Sequence, residues 1–190
     1  MESKPRFFNT LSGRKEPLDP IEPGRVKMYT CGPTVYDLAH IGNFRAYVFE
    51  DLLHRFLLYR GFSVFRVMNI TDVDDKTIAG AAREGVSLKE FTGRYTQEFL
   101  RDMETLRLLK PDVMPAATDH IPEMVALIRQ LLEKGVAYRS EDGIYFRISS
   151  FPEYGKLSHL DRSGIRPGAR VAVDGYSKED VRDFALWKAA

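Results

Sequence analysis

One cysteine, Cys31, stands in 190 residues, so no internal disulfide can form and nothing marks an oxidising compartment. Long apolar runs are missing too: none approaches the roughly 18 residues a membrane span needs. The opening residues, MESKPRFFNT, carry no apolar core of a secretory signal, so the expected location is the cytoplasm, away from membranes. An excess of either charge is also lacking. Lys and Arg number 28 against 27 Asp and Glu, a formal net charge of +1, which gives no global electrostatic case for nucleic acid. Any such contact is local or lies outside this chain. No G-x-G-x-x-G follows a strand-like run, and Gly155-Lys156-Leu157-Ser158 lacks the G-x-x-x-x-G-K-[ST] frame, so neither a dinucleotide fold nor a P-loop has support. H-E-x-x-H and nucleophile-elbow patterns do not occur, and neither internal repeats nor low-complexity tracts are present.

What is present is the material of a folded protein. Hydrophobic residues make up 44% and charged residues 29%, enough to bury a core. From Phe7 to Pro23, Gly13 and three prolines punctuate the chain, so short edge strands or an ordered arm are expected. Arg25–Tyr29 reads as a buried strand that delivers Cys31 to its carboxyl end, where open α/β sheets hold ligands. After Gly32-Pro33, the apolar residues Phe44, Val48, Phe49, Leu52, Leu53, Phe56 and Leu57 recur at helical spacing as far as Gly61, which predicts a helix with that face on the core. Phe62–Ile70 alternates and is β-rich, completing a strand–helix–strand unit of the parallel kind. Two helices are predicted next, one carrying Leu88 to Leu106 and one carrying Ile121 to Leu132. Successive helices with no strand between them imply an insertion. A β-hairpin is expected from Val136–Arg139 and Ile144–Ile148, with Gly143 available for the turn. An irregular stretch, Ser149 to Gly175, and a last β-prone run, Phe184–Trp187, complete the chain.

Several residues admit two readings. Cys31 alone is ordinarily a small buried thiol. His40 alone is a turn or helix-start histidine. Thr71-Asp72-Val73-Asp74-Asp75 fits an N-cap with further acids drawn to the positive helix end, which leaves little reason to read a metal-binding carboxylate cluster. A helix start after a glycine turn at a strand end leaves backbone N–H groups that suit a phosphate, a general property that selects no reaction.

The stretch TCGPTVYDLAHIGNFR, residues 30–45, resembles the first signature of the class I aminoacyl-tRNA synthetases, and Cys31 to Asp37 resembles the cysteinyl-tRNA synthetases in particular. The runs Asn69–Lys76, Arg107–Asp112 and Asp183–Lys188 appear in that family's order and spacing, so the resemblance covers nearly the whole chain. It implies an α/β fold: a Rossmann-like parallel half-sheet with flanking helices and an inserted helical and β-hairpin connective segment. The expected division is residues 1–110 for the first half of the nucleotide-binding domain, 111–180 for the insertion, and 181–190 for a strand returning to the catalytic domain.

The resemblance also implies chemistry: ATP-dependent activation of cysteine to its adenylate, then transfer to tRNA(Cys). ATP, with magnesium, would meet Thr34, His40, Gly42 and Asn43. Of these, His40 and Asn43 are the catalytic candidates, binding phosphate and stabilising the transition state. Asn43 stands where the commoner pattern has a second His; it can donate a hydrogen bond but cannot carry positive charge. Gly42 would let adenine approach the backbone. Substrate cysteine would meet Gly32, Thr71 and Trp187, and also Cys31 through zinc, a metal whose bond to sulfur discriminates against serine. The family's remaining zinc ligands and its Lys-Met-Ser-Lys-Ser signature do not occur in these 190 residues. The chain alone is therefore expected to hold zinc weakly or not at all, and to adenylate feebly. The alternatives are the similar cysteine ligase of mycothiol biosynthesis, or a non-catalytic folding or binding fragment. A half-sheet edge also offers a route to self-association.

Overall fold

The computed structural model describes residues 4–159, 180 and 182–189. The chain divides into two compact units, Asp19–Ile121 and a second made of Met1–Leu18 with Pro122–Ala190. Expectations for residues 160–175 lie outside the described residues.

In the unit Asp19–Ile121, β3 (Arg25–Thr30) and β4 (Ser63–Met68) pair in parallel, Arg25 opposite Ser63 through Thr30 opposite Met68. Helix α1 (Ile41–Tyr59) connects them and packs on β4. On the other side of β4 the chain returns as an irregular parallel segment. Met68 N–H donates to Val113 O at 3.1 Å, Ile70 N–H to Pro115 O at 2.8 Å, and Ala117 N–H to Ile70 O at 3.0 Å. Beyond β3 no further strand pairs among the described residues. Helices α2 (Asp75–Glu84) and α3 (Leu88–Thr105) follow and pack on each other, the α2 C-terminus ending at Gly85 with φ 67°. Gly supplies that left-handed residue without a Cβ clash.

Val35, Phe44, Tyr47, Met68, Ile70, Phe99 and Met103 form the core of this unit. The Phe44, Tyr47 and Phe99 rings lie with centroids 5.1–5.9 Å apart, two of the three pairs edge to face, the geometry that aromatic quadrupoles favour.

Two expectations are corrected here. The strand predicted as buried is half-exposed: β3 alternates exposed and partly covered residues, and Tyr29 is 67% exposed. A strand with one neighbour keeps its outer margin in water. The α1 face is also rotated from the expected one. Phe44, Tyr47, Asp51, His54 and Leu57 are buried, whereas Val48, Phe49, Leu52 and Phe56 stay exposed. Asp51 sits in that face because partners await it: it accepts from Leu109 N–H at 2.7 Å and from Arg55 Nε at 2.7 Å. Arg66, 1% exposed, lies on the same side and donates from Nη2 to Glu50 at 3.1 Å.

The other unit opens with an antiparallel hairpin, β1 (Arg6–Asn9) and β2 (Arg14–Pro17). A short 3-10 turn (Ala117–His120) leads out of the first unit into α4 (Ile121–Glu133). Then β5 (Ala137–Ser140), β6 (Gly143–Phe146) and β7 (Phe184–Lys188) form an antiparallel sheet in that order. Three details differ from the sequence reading. The hairpin loop is only Glu141-Asp142, and Gly143 lies in β6 rather than in the turn. A Cβ at Gly143 would sit 2.3 Å from Trp187 O, so close strand approach explains that glycine. The run expected to return to the catalytic sheet, β7, pairs instead with β6. Asp183 anchors it, accepting from Tyr138 OH at 2.8 Å and Ile148 N–H at 2.9 Å. Among the described residues no helix is long and apolar enough to cross a membrane.

Candidate nucleotide site

The carboxyl end of β3 runs into a turn that must pass very close to the end of β4. A Cβ on Gly32 would fall 1.7 Å from Asn69 O, so no other residue fits there without parting the two backbones. Asn69 ties the crossing together: its Oδ1 accepts from Gly32 N–H at 3.1 Å and Tyr29 OH at 3.0 Å, and its Nδ2 donates to Thr71 Oγ1 at 3.0 Å. Thr34 and Thr71 continue the pairing as a parallel bridge, with Thr71 N–H donating to Pro33 O at 2.9 Å and Val35 N–H to Thr71 O at 3.1 Å.

That turn forms one wall of a polar hollow of about 380 Å³. Gly32, Pro33, Thr34, Tyr36 and Asp37 come from the turn, His40 and Asn43 from the start of α1, Tyr47 from its second turn, and Lys76 from the start of α2. Of the residues expected to meet ATP, Thr34, His40 and Asn43 line this hollow, and Gly42 lies between the last two.

His40 caps α1, and the cap fixes what its other end can do. Gly42 N–H donates to His40 Nδ1 at 3.0 Å, so that nitrogen holds a lone pair and the proton of the neutral ring sits on Nε2. Asn43 answers reciprocally: His40 N–H donates to Asn43 Oδ1 at 3.0 Å, which assigns the amide and leaves Nδ2 as the outer end. Both residues are exposed, so two donors, Nε2–H and Nδ2–H2, remain for a ligand. Capping and ligand binding thus use opposite ends of the same side chains. Gly42 has a second reason to be glycine, since a Cβ there would meet the His40 ring at 2.7 Å.

Cys31 is exposed rather than buried, which sets aside the buried-thiol reading. Its proximity is registered at Tyr47, whose phenol is pushed up to about 12 by burial first, then by Glu50 and Cys31 nearby. Among the described residues no group of three or more His, Cys, Asp or Glu is placed to hold a metal ion. Cys31 offers one sulfur, and the described residues do not make up a zinc site. Trp187 lies exposed on β7 in the other unit.

Within the acidic run Asp74 is a helix cap and Asp72 a tertiary hydrogen-bond acceptor. Asp74 accepts from Lys76 N–H at 2.8 Å and starts α2, with Thr77 Oγ1 accepting from Asp74 N–H in return. Asp72 accepts from Thr118 N–H at 2.9 Å and from its hydroxyl. Sequence reasoning did not name Asn69, Tyr47 or Lys76 as site residues. Only Asn69 had a local signal, a polar residue at a strand end beside a glycine turn; the other two reach the site through tertiary folding.

Residues 17–190 match the family model described as tRNA synthetases class I (C) catalytic domain. The cysteine–tRNA ligase of Chlamydia trachomatis is 55% identical over 184 residues, covering 96% of this chain and 38% of that protein. Those of Koribacter versatilis and Protochlamydia amoebophila are 54% and 52% identical, over 96% and 97% of this chain and 37% and 39% of theirs. The chain therefore spans somewhat over a third of the length of these relatives. Among solved structures, methionyl-tRNA synthetase of Mycobacterium tuberculosis with methionyl-adenylate superposes with a TM-score of 0.55 at 22% identity, over 60% of this chain and 23% of that one. The LeuRS of Agrobacterium radiobacter in a ternary complex with tRNA gives 0.55 at 25% identity, over 66% and 17%. These two likenesses bear on the fold, a mixed helix and strand architecture around a parallel pair. With 174 of its residues inside the family match, the chain belongs to the class I tRNA synthetases of the (C) catalytic-domain family.

Proposed function

We propose that the hollow between β3 and the starts of α1 and α2 binds ATP, and that the chain serves the activation of cysteine and its transfer to tRNA(Cys). The reading treats β3, α1 and β4 as part of a Rossmann-like half-sheet, with 111–180 as a connective insertion. The carrying observation is the reciprocal cap of α1, which leaves His40 Nε2–H and Asn43 Nδ2 as donors at one hollow. Two neutral donors beside a helix start suit phosphate oxygens. Cysteine carboxylate would attack the α-phosphorus and pyrophosphate would leave, with the site acting by position and hydrogen bonding. Magnesium, when bound with ATP, would offset the charge of the phosphates. Cys31, Gly32 and Thr71 are assigned to the cysteine side of the site, and no step passes through zinc.

Calorimetric titration of the chain with ATP tests this. Saturable binding is expected, and His40→Ala should weaken it about tenfold, the scale of one lost hydrogen bond to a charged group. His40→Asn, which keeps a cap, should preserve folding but recover little of the affinity. A chain that folds and binds no ATP would overturn the proposal.

A further inference from the structure

The lining of the hollow contains one lysine and no arginine, and that lysine is Lys76. Its position is unusual. It is the second residue of α2, in the first turn, where the helix end is itself positive and a cation is disfavoured. No carboxylate pairs with it among the described residues, although Asp74 accepts from its backbone N–H at 2.8 Å. Instead the ammonium sits 4.7 Å from the centroid of the Tyr36 ring and donates to Tyr36 OH at 3.3 Å. Tyr36 is a wall of the same hollow. A cation–π contact supported by one hydrogen bond leaves two ammonium protons unassigned and holds the charge at the rim. Asp37, the one carboxylate in the lining, is engaged by Leu38 N–H at 2.8 Å. Asn43, the third residue of α1, cannot carry charge, and His40 holds its Nδ1 lone pair for Gly42.

From this geometry we infer that Lys76 is the cation that contacts the phosphate chain of the nucleotide, and that Tyr36 is the ring that positions it. The inference rests on the ATP reading above and adds a residue to it. Its specific consequence is discrimination: Lys76 favours polyphosphate and is indifferent to the nucleoside.

The test is calorimetric titration of the chain and of Lys76→Gln, Lys76→Arg and Lys89→Gln with ATP, inorganic tripolyphosphate and adenosine. Lys89 is an exposed residue of α3 that does not line the hollow, so it controls for net charge. Lys76→Gln should lower ATP and tripolyphosphate affinity about tenfold or more, the scale of one lost charge-assisted contact. Adenosine affinity should not change, Lys76→Arg should retain most polyphosphate affinity, and Lys89→Gln should match the parent. Unchanged ATP affinity in Lys76→Gln, or an equal loss for adenosine, would overturn the role of Lys76 and leave the ATP reading standing. A loss in Lys89→Gln as large as in Lys76→Gln would do the same. Failure of the parent to bind ATP would remove both, and ATP binding without tripolyphosphate binding would overturn the role of Lys76 alone.

Discussion

Replacing Glu50 by Gln should destabilise this protein far more than replacing its partner Arg66 by Met. Arg66 is 1% exposed, and its Nη2 lies 3.1 Å from a Glu50 carboxylate oxygen, with Nε 3.5 Å from Thr30 Oγ1 and Nη1 buried without a partner. At that separation the attraction is about 5 kcal/mol for an effective dielectric constant near 20. Gln keeps the shape and one hydrogen bond, and relief of carboxylate desolvation returns part of the loss, so Glu50→Gln should cost about 3 kcal/mol. The guanidinium cannot shed its charge in response. Glu50 can: burial already raises its pKa, against the lowering effects of the Thr30 hydrogen bond and of Arg66. In Arg66→Met the carboxyl group takes up a proton more readily and the methionine fills the space, so the cost near neutral pH should be about 1–2 kcal/mol. The sign with pH follows. An acid whose pKa is raised by folding binds extra protons in the native state between its unfolded and folded values. Stability therefore falls as pH rises through that window, upward from 4.5. Arg66→Met should regain stability on acidification into this window. Urea unfolding followed by far-ultraviolet circular dichroism, with all three proteins near neutral pH and at about pH 5.5, reads these differences. A Glu50→Gln protein as stable as the parent, or an Arg66→Met protein that loses more than Glu50→Gln near neutrality, would refute the reasoning.

Gly32→Ala places a Cβ 1.7 Å from Asn69 O, a collision with backbone that no rotamer change relieves. It should cost at least about 3 kcal/mol in urea unfolding and weaken ATP binding with it, whereas a loss under about 0.5 kcal/mol would show that β3 and β4 part easily there. His54 has its pKa lowered, by burial first and then by Arg66, with Asp112 and Asp51 opposing and Arg55 adding slightly. A base lowered by folding contributes stability above its unfolded value that is lost as pH falls through the folded one, so the parent should lose stability on acidification below 6.5. His54→Leu should flatten that part of the stability profile, and an unchanged slope would show that the ring titrates as it does when unfolded.

The stretch that lines the hollow was legible because it is local. Residues 30–43 are contiguous, and strand end, glycine turn and helix cap follow from residue type within a few positions, so His40, Asn43 and Thr34 reach one hollow with little help from the rest of the chain. The helix boundaries of α1, α3 and α4 and the Asp74 cap were legible for the same reason. Tertiary structure decided what required distant partners. Periodicity marks an apolar stripe on α1 but does not say that the neighbouring face, with Asp51 and His54, turns inward. For Asp51 that depends on Leu109 N–H arriving from 58 residues away. The need for glycine at position 32 comes from Asn69, 37 residues on, and the placing of Lys76 beside Tyr36 from a contact 40 residues apart. Sequence fixes local torsions and caps because their energies are set by neighbours in the chain. Which face is buried and which charge meets which ring are set by packing between segments, where a desolvated group is stable only if its partner is already there.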